Sequence, residues 1–271
     1  MTDSSLSTSA VKPATTTALE YTAVVKRFGQ KAALNGVSFT CPSGAVTALI
    51  GPNGAGKSSL FRAAAGLLAP DAGTVRIHGH VAGTAAAQRA ASLMPEQPDL
   101  YPGVSVWEHV VFVALAYRLS DWQGRAHDLL ERFGLSDRLD SLPHELSQGL
   151  RRRLALVMAL VHGADVLLLD EPFNGLDPRS TSELRSLVRE LATSGVCVLV
   201  STHILSDVAR LTERAALLDK GRVTAAGSFD ELRRQAHVDR DADLEEVYFA
   251  LTDVTLEELT GEHADGSTDE Q

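Results

Sequence analysis

Three short, mostly apolar runs stand out along the chain, at 45–50, 166–170 (ending in a carboxylate) and 196–202. Each is too short for a helix and lacks the polar alternation of a half-exposed strand, so each predicts a strand buried on both faces. Between them the apolar positions recur at helical spacing. Helices are expected over 58–68 (ending near Gly66 and Pro70), 85–91, 180–193, from Leu205 onward, and on the apolar face of 244–251. Shorter strands are expected at 74–78, 92–94, 215–218 and 222–225, the last two around Lys220-Gly221. From Leu19 to Pro42 the pattern is strand-like, and Phe28-Gly29 and Asn35-Gly36 read as hairpin turns. Residues 98–146 differ in character: they hold Pro98, Pro102 and Pro143 around helical patterns at 106–119 and 124–133, and read as a mostly helical insertion. A long helix follows from Ser147 to about His162. Strands alternating with helices predict an α/β fold, with a largely parallel sheet covered on both faces.

Composition narrows the setting. With 25 Lys and Arg against 35 Asp and Glu, the formal net charge is −10, which speaks against general nucleic-acid binding. The two cysteines, Cys41 and Cys197, form no disulfide or zinc pattern and fit a reducing compartment. The longest apolar runs, 110–117 and 154–161, fall well short of the about 20 residues a spanning helix needs. The start of the chain shows no charged-then-apolar signal pattern, so a soluble, cytosolic chain is expected. Residues 1–17, rich in Ser, Thr and Ala, read as a disordered leader, 18–251 as the folded domain, and 252–271, acidic and free of Lys and Arg, as a disordered tail.

The candidate chemistry begins where the first buried strand ends. Gly51-Pro52-Asn53-Gly54-Ala55-Gly56-Lys57-Ser58 fits G-x-x-x-x-G-K-[ST] at every fixed position. Glycines let the backbone curl so that successive N–H groups face one concavity, and the following helix adds its positive end. Lys57 then reaches the β- and γ-phosphates, and the Ser58 hydroxyl binds Mg²⁺. The run at 166–170 ends in Asp170-Glu171-Pro172. Asp170 at the strand end is placed for the Mg²⁺ shell, and Glu171, one residue on, to orient or deprotonate the attacking water. Leu146-Ser147-Gln148-Gly149-Leu150 precedes the long helix, with Ser147 a natural N-cap.

Taken in order, these motifs resemble the ATP-binding cassette (ABC) ATPases along roughly 19–251. The segment 146–150 resembles the LSGGQ signature, Glu96 stands at the Q-loop position, Asn174-Gly175-Leu176-Asp177 is similar to the D-loop, and His203 in Ser201-Thr202-His203 to the switch histidine. The resemblance implies a P-loop NTPase core with an antiparallel β subdomain and a helical subdomain over about 98–162. It implies ATP and Mg²⁺ as cofactors, Glu171 and His203 as catalytic residues, and Ser58, Glu96 and Asp170 as metal ligands. Nucleotide contacts are implied for Phe28 as the adenine-stacking aromatic, for the loop Gly51, Pro52, Asn53, Gly54, Ala55, Gly56, Lys57, Ser58 and Ser59, and for Ser147, Gly149 and Asp177. Two such subunits would pair head to tail, each ATP lying between one phosphate loop and the other chain's Ser147 and Gly149. A separate transmembrane permease would hold the pair on the cytoplasmic face of the membrane. The wording PEQPDLYPGVSVWEHV, LSQGLRRRLAL, DEPFNGLDP and LEEVYFALT is similar to the ABC-2-type export group.

The sequence departs from the family pattern at Glu96 (Gln in the family), Gln148 (Gly) and Leu150 (Gln). A weakly catalytic subunit of a heterodimer therefore stays open, as does a soluble ABC ATPase acting on a non-membrane assembly. Against the second, the segment between Lys57 and Ser147 holds no sustained heptads and the chain carries one cassette. Arg151 and Arg152 are expected on a solvated face and Arg153 in a structural role, rather than as a nucleic-acid patch. For docking to a permease, Tyr101 and Val104 are the expected contacts, while Val106, Val110, Val113 and Tyr117 are expected to pack inward.

Overall fold

The computed structural model describes residues 16–252 and 254. A β-hairpin opens the fold, β1 (Thr17–Phe28) and β2 (Lys31–Pro42), followed by β3 (Val46–Ile50), α1 (Lys57–Ala64), β4 (Ala72–Ile77) and β5 (His80–Val81). Next come α2 (Ala85–Ala90), β6 (Ala91–Met94), α3 (Val106–Ala116), α4 (Trp122–Arg132) and α5 (Gln148–Val161). The second half runs β7 (Val166–Leu169), α6 (Pro178–Thr193), β8 (Cys197–Thr202), α7 (Leu205–Leu211), β9 (Arg214–Asp219), β10 (Arg222–Ser228), α8 (Phe229–Ala236) and α9 (Leu244–Leu251). Among the described residues no helix is long and apolar enough to cross a membrane.

Two sheets form. The larger has the order β10-β9-β3-β8-β7-β6, parallel throughout except for β10, and the smaller is antiparallel with the order β2-β1-β4-β5. Every residue of β3, β7 and β8 is buried, as their continuous apolar runs require. Alternation along the strands divides the core. Leu167, Leu169, Val198 and Val200 face the cluster built with α3 to α6, whereas Val166, Leu168, Cys197 and Leu199 face the cluster shared with the antiparallel sheet and α1. A third cluster joins Ile50 and Leu217 to α7, α8 and α9, and takes in Tyr248 and Val254. The expected α/β fold, with its antiparallel and helical parts, is the one observed. Of the expected leader only Thr16 and Thr17 are described, the latter opening β1, and of the expected tail only Thr252 and Val254; the rest of both segments lies outside the described residues.

Asn35-Gly36 is not a hairpin turn. The pairing passes from Val24–Val37 to Val25–Asn35, so Gly36 (φ 76°) is an extra residue within β2, a bulge that glycine supplies without steric cost. The bulge bends β2 over the β9–β10 turn, where the Asn35 amide donates to the Gly221 carbonyl at 2.8 Å. The helix expected over 58–68 stops at Ala64. Gly66 (φ 73°) turns the chain there, and a side chain at that position would collide with the backbone of Gly83. The helix expected from 180 starts earlier, at Pro178, with Asp177 as its N-cap. The expected insertion is indeed mostly helical, with α3 and α4 joined to α5 through short 3-10 turns at Ser136–Arg138 and Pro143–Glu145.

Candidate active site

Strand order assembles the site. β8 lies between β3 and β7, so the loops leaving the carboxyl ends of all three are neighbours, although they are far apart in sequence. The loop after β3 carries residues 51–58. Gly54 (φ 81°) and Gly56 (φ 112°) adopt left-handed backbone that a side chain would strain, and a Cβ at Gly51 would sit 2.2 Å from the Leu218 carbonyl of β9. Gly56 caps α1, and the first amides of the helix have no side-chain bond from their cap. The Lys57 ammonium is buried and donates to the Gly51 carbonyl at 2.6 Å. Ser58 and Ser59 are half-buried on the first turn of α1.

Lys57 Nζ stands 3.3 Å from Glu171 Oε1, a close ion pair without hydrogen-bond alignment, since that oxygen has no hydrogen-bond partner. The other oxygen, Oε2, lies 3.1 Å from His203 Nδ1. A carboxylate only accepts, so the imidazole proton is on Nδ1. Burial pushes the Glu171 carboxyl up, but the His203 bond and the Lys57 and His203 charges outweigh it and hold the group below its ordinary value. Asp170, also buried, accepts a 2.6 Å bond from Ser201 Oγ, and the same hydroxyl accepts the Glu171 amide at 2.7 Å. Glu171 is itself left-handed, with φ 48°. Such a conformation in a non-glycine residue costs about 1–3 kcal/mol and persists only where neighbours fix it.

The remaining candidates are placed as follows. Phe28 ends β1 at the hairpin tip with its ring 55% exposed and the Lys26 ammonium 5.9 Å from the ring centre. The same hairpin passes over the phosphate loop, where a Cβ at Gly56 would meet the Ala33 carbonyl at 2.6 Å. Glu96 is exposed in the loop after β6, and its carbonyl accepts from Arg152. Ser147 caps α5, accepting the Leu150 amide at 3.3 Å, and both Ser147 and Gly149 lack any hydrogen bond or ion pair to the 51–58 loop of the same chain. Asp177 caps α6: its oxygens accept from the Ser180 amide (3.0 Å), the Ser180 hydroxyl (2.6 Å) and Arg153 (2.6 Å). The Ser180 bonds and the Arg153 charge hold that exposed carboxyl far below the usual carboxylate range.

One expectation needs correcting. Arg152 is not on a solvated face; it is buried, and it donates to the carbonyls of Glu171 and Glu96. Helical spacing carries the signal that was missed, for Arg152 shares a stripe with the buried Leu156 and Ala159. Arg151 is exposed and bonds the Pro143 carbonyl, and Arg153 ties α5 to the Asp177 carboxylate at the start of α6. Ser201, bridging Asp170 and Glu171, is the other functional-site residue that sequence reasoning left without a role.

A glycine-rich strand-to-helix loop on a parallel sheet, with carboxylates at the end of a parallel strand one removed from it, defines a P-loop nucleoside triphosphatase. The comparisons narrow the class. The ABC transporter family profile matches residues 34–174, and the chain belongs to that family as one of its ATPases. It is 37% identical over 222 residues to the daunorubicin/doxorubicin resistance ATP-binding protein DrrA of Streptomyces peucetius, covering 80% of this chain and 67% of that one. It is 36% identical over 214 residues to the Nod factor export ATP-binding protein I of Burkholderia lata, covering 78% and 70%. A solved structure described as the ATP-binding subunit of an ABC transporter superposes with a TM-score of 0.82 at 35% identity, over 87% of this chain and 99% of that one.

Proposed function

We propose that this chain hydrolyses ATP to drive an exporter of the ABC-2 type. The observation that carries the reading is the meeting of Lys57, Glu171 and His203 at the carboxyl ends of β3, β7 and β8. In this reading Lys57 and the free backbone N–H groups of the 51–59 loop, to which Pro52 contributes none, bind the phosphates, Glu171 takes the proton of the attacking water, and His203 holds that carboxylate while reaching the γ-phosphate. Ser58, Asp170 and Glu96 supply the hard oxygen donors that suit Mg²⁺, and the buried Asp170 carboxylate, fixed by Ser201, is a pre-oriented ligand. An Mg²⁺ ion held by these residues would neutralise charge on the phosphates of the nucleotide. Ser147, Gly149 and Asp177 act on the nucleotide of a second subunit paired head to tail; the exposure of Ser147, without a bond to its own chain's phosphate loop, supports that arrangement. Phe28 stacks on the adenine. Phe28→Ala is expected to weaken ATP binding by roughly 1–3 kcal/mol in a fluorescence titration, as base–aromatic stacking does elsewhere; unchanged affinity places the adenine platform elsewhere.

Names of relatives that speak of drug resistance and of export support the direction of transport. The permease is proposed to dock on the insertion, which would seat the pair on the cytoplasmic face of the membrane. Tyr101 is 53% exposed, with the Phe112 ring 5.6 Å away edge-on, and Phe112 and Leu115 extend this apolar surface along α3. The loop is firm: the buried His109 accepts the Tyr101 amide at 2.9 Å on Nε2 and lies 2.8 Å from the Ser105 carbonyl on Nδ1. Val104 is half-buried beside it, whereas Val106 and Val110 are buried, Val113 packs on the core and Trp107 stacks on His127; Tyr117, expected to pack inward, is instead 37% exposed, with its ring over His162. A pull-down from mildly solubilised membranes is expected to recover an integral membrane protein. Tyr101→Asp is expected to lose it while ATP binding by the isolated chain survives. Recovery of ribosomal or DNA-bound partners alone would overturn the transport reading.

A further inference from the structure

Arg152 is buried on the second turn of α5, the helix whose N-cap is Ser147. Its Nη2 donates to the Glu171 carbonyl at 2.5 Å and to the Glu96 carbonyl at 3.0 Å. Those carbonyls leave the ends of β7 and β6, which are adjacent parallel strands. One guanidinium nitrogen therefore ties two site loops to the helical subdomain. The bond to Glu171 matters most, because that residue is held at φ 48°. Its amide is fixed by Ser201 of β8 and its carbonyl by Arg152 of α5, so side chains from two other elements secure both backbone polar groups. Strain of this kind survives only where the surroundings over-determine it. The guanidinium also faces the charges of Glu96, Glu171 and Asp170, which balance its own in a buried setting.

We propose that Arg152 is a positioning residue for hydrolysis: by holding the Glu171 and Glu96 carbonyls to α5, it makes the placement of the Glu171 carboxylate depend on the helical subdomain. This rests on the reading of Glu171 as the base. Movement of α5 then shifts the carboxylate through the hydrogen bond to the Glu171 carbonyl, with no contact between Arg152 and the nucleotide. Lysine keeps the charge and one donor group but not the planar fork, so it substitutes only in part.

The test uses the full chain with Arg152→Met and Arg152→Lys, read three ways: steady-state ATP hydrolysis, ADP affinity, and amide hydrogen exchange over 171–176 without nucleotide. Arg152→Met is expected to lower kcat about 10- to 100-fold, by analogy with the loss of a hydrogen-bond partner that orients a metal-ligating side chain. KM for ATP and ADP affinity are expected to stay unchanged, exchange at the Glu171 amide to speed up, and Arg152→Lys to recover part of both kcat and protection. Unchanged turnover in Arg152→Met overturns the proposal. So does a parallel fall of kcat, ADP affinity and thermal stability, which marks a merely structural arginine, and so does a lysine variant no better than methionine. Should Arg152→Met not fold, Arg152→Gln, with a neutral NH₂ donor on a shorter stem, is read in the same way. Glu171→Gln separates the two readings: wild-type turnover there removes Glu171 as the base, while faster exchange in the arginine variants still reports the hold on the loop.

Discussion

Glu171→Gln is expected to bind ATP and fail to hydrolyse it, with kcat lowered about 10²- to 10⁴-fold, the range that a positioned general base contributes. The fold should survive the change. The amide has nearly the shape of the carboxylate and keeps an oxygen for the His203 Nδ1 proton. Lys57 loses its ion pair but is not orphaned, because the Gly51 carbonyl remains at 2.6 Å. The phosphate loop, shaped by glycines and by the approach of Gly51 to β9, contains no atom of Glu171. Binding and turnover should therefore separate. With hydrolysis blocked and both half-sites intact, the variant should accumulate as an ATP-bound dimer on size-exclusion chromatography, where the wild-type chain does not. Turnover persisting at the wild-type rate removes Glu171 as the base. A variant that neither turns over nor retains ATP shows instead that the carboxylate organises the loop.

The parts of the site legible in the sequence are those whose chemistry is contiguous. The phosphate loop needs its glycines, lysine and serine at fixed offsets, and the Asp170-Glu171 pair sits at the end of a run that can only be a buried strand. The buried strands were equally legible, because a parallel strand covered on both faces has no reason to alternate. What stayed hidden depends on distance or on local ambiguity. Asn35-Gly36 has the composition of a type I′ turn, and only the pairing of β1 with β2 shows it to be a bulge. Arg152 sits in a run of three arginines, where charge alone argues for solvent; its role depends on two carbonyls delivered by other strands. Ser201 serves Asp170 and Glu171 only because β8 lies beside β7. The turn at Gly66 likewise answers to a tertiary contact, the close passage of Gly83, which no helical period reports.

Lys57→Ala is expected to lose nucleotide and stability together, unlike the change at Glu171. A charged hydrogen-bond donor to phosphate is worth about 1.5–3 kcal/mol, so ATP affinity should fall roughly 10- to 150-fold. The stability effect comes from what remains. Without Lys57 the Glu171 carboxylate, buried and with Oε1 lacking any hydrogen bond, keeps only His203 at 3.1 Å. Removing one partner of a buried pair costs about 3–5 kcal/mol, and the surviving histidine keeps the loss at the low end. For a domain of this size that corresponds to a fall in Tm of roughly 6–12 °C. The pH dependence has a definite sign. Burial raises the Glu171 carboxyl while His203 and Lys57 lower it further, so in the wild-type chain its contribution is present above the unfolded carboxylate value and is lost as pH falls through the depressed one. Taking away Lys57 removes part of that depression, so acid destabilisation begins at higher pH in Lys57→Ala. The double variant Lys57→Ala/Glu171→Gln carries no unpaired carboxylate at position 171 and should recover most of the lost Tm without recovering ATP affinity. Thermal melts across pH, run beside an ATP titration of all three variants, check this. A double variant as unstable as Lys57→Ala would show that the lysine stabilises the fold through its bond to the Gly51 carbonyl rather than through Glu171.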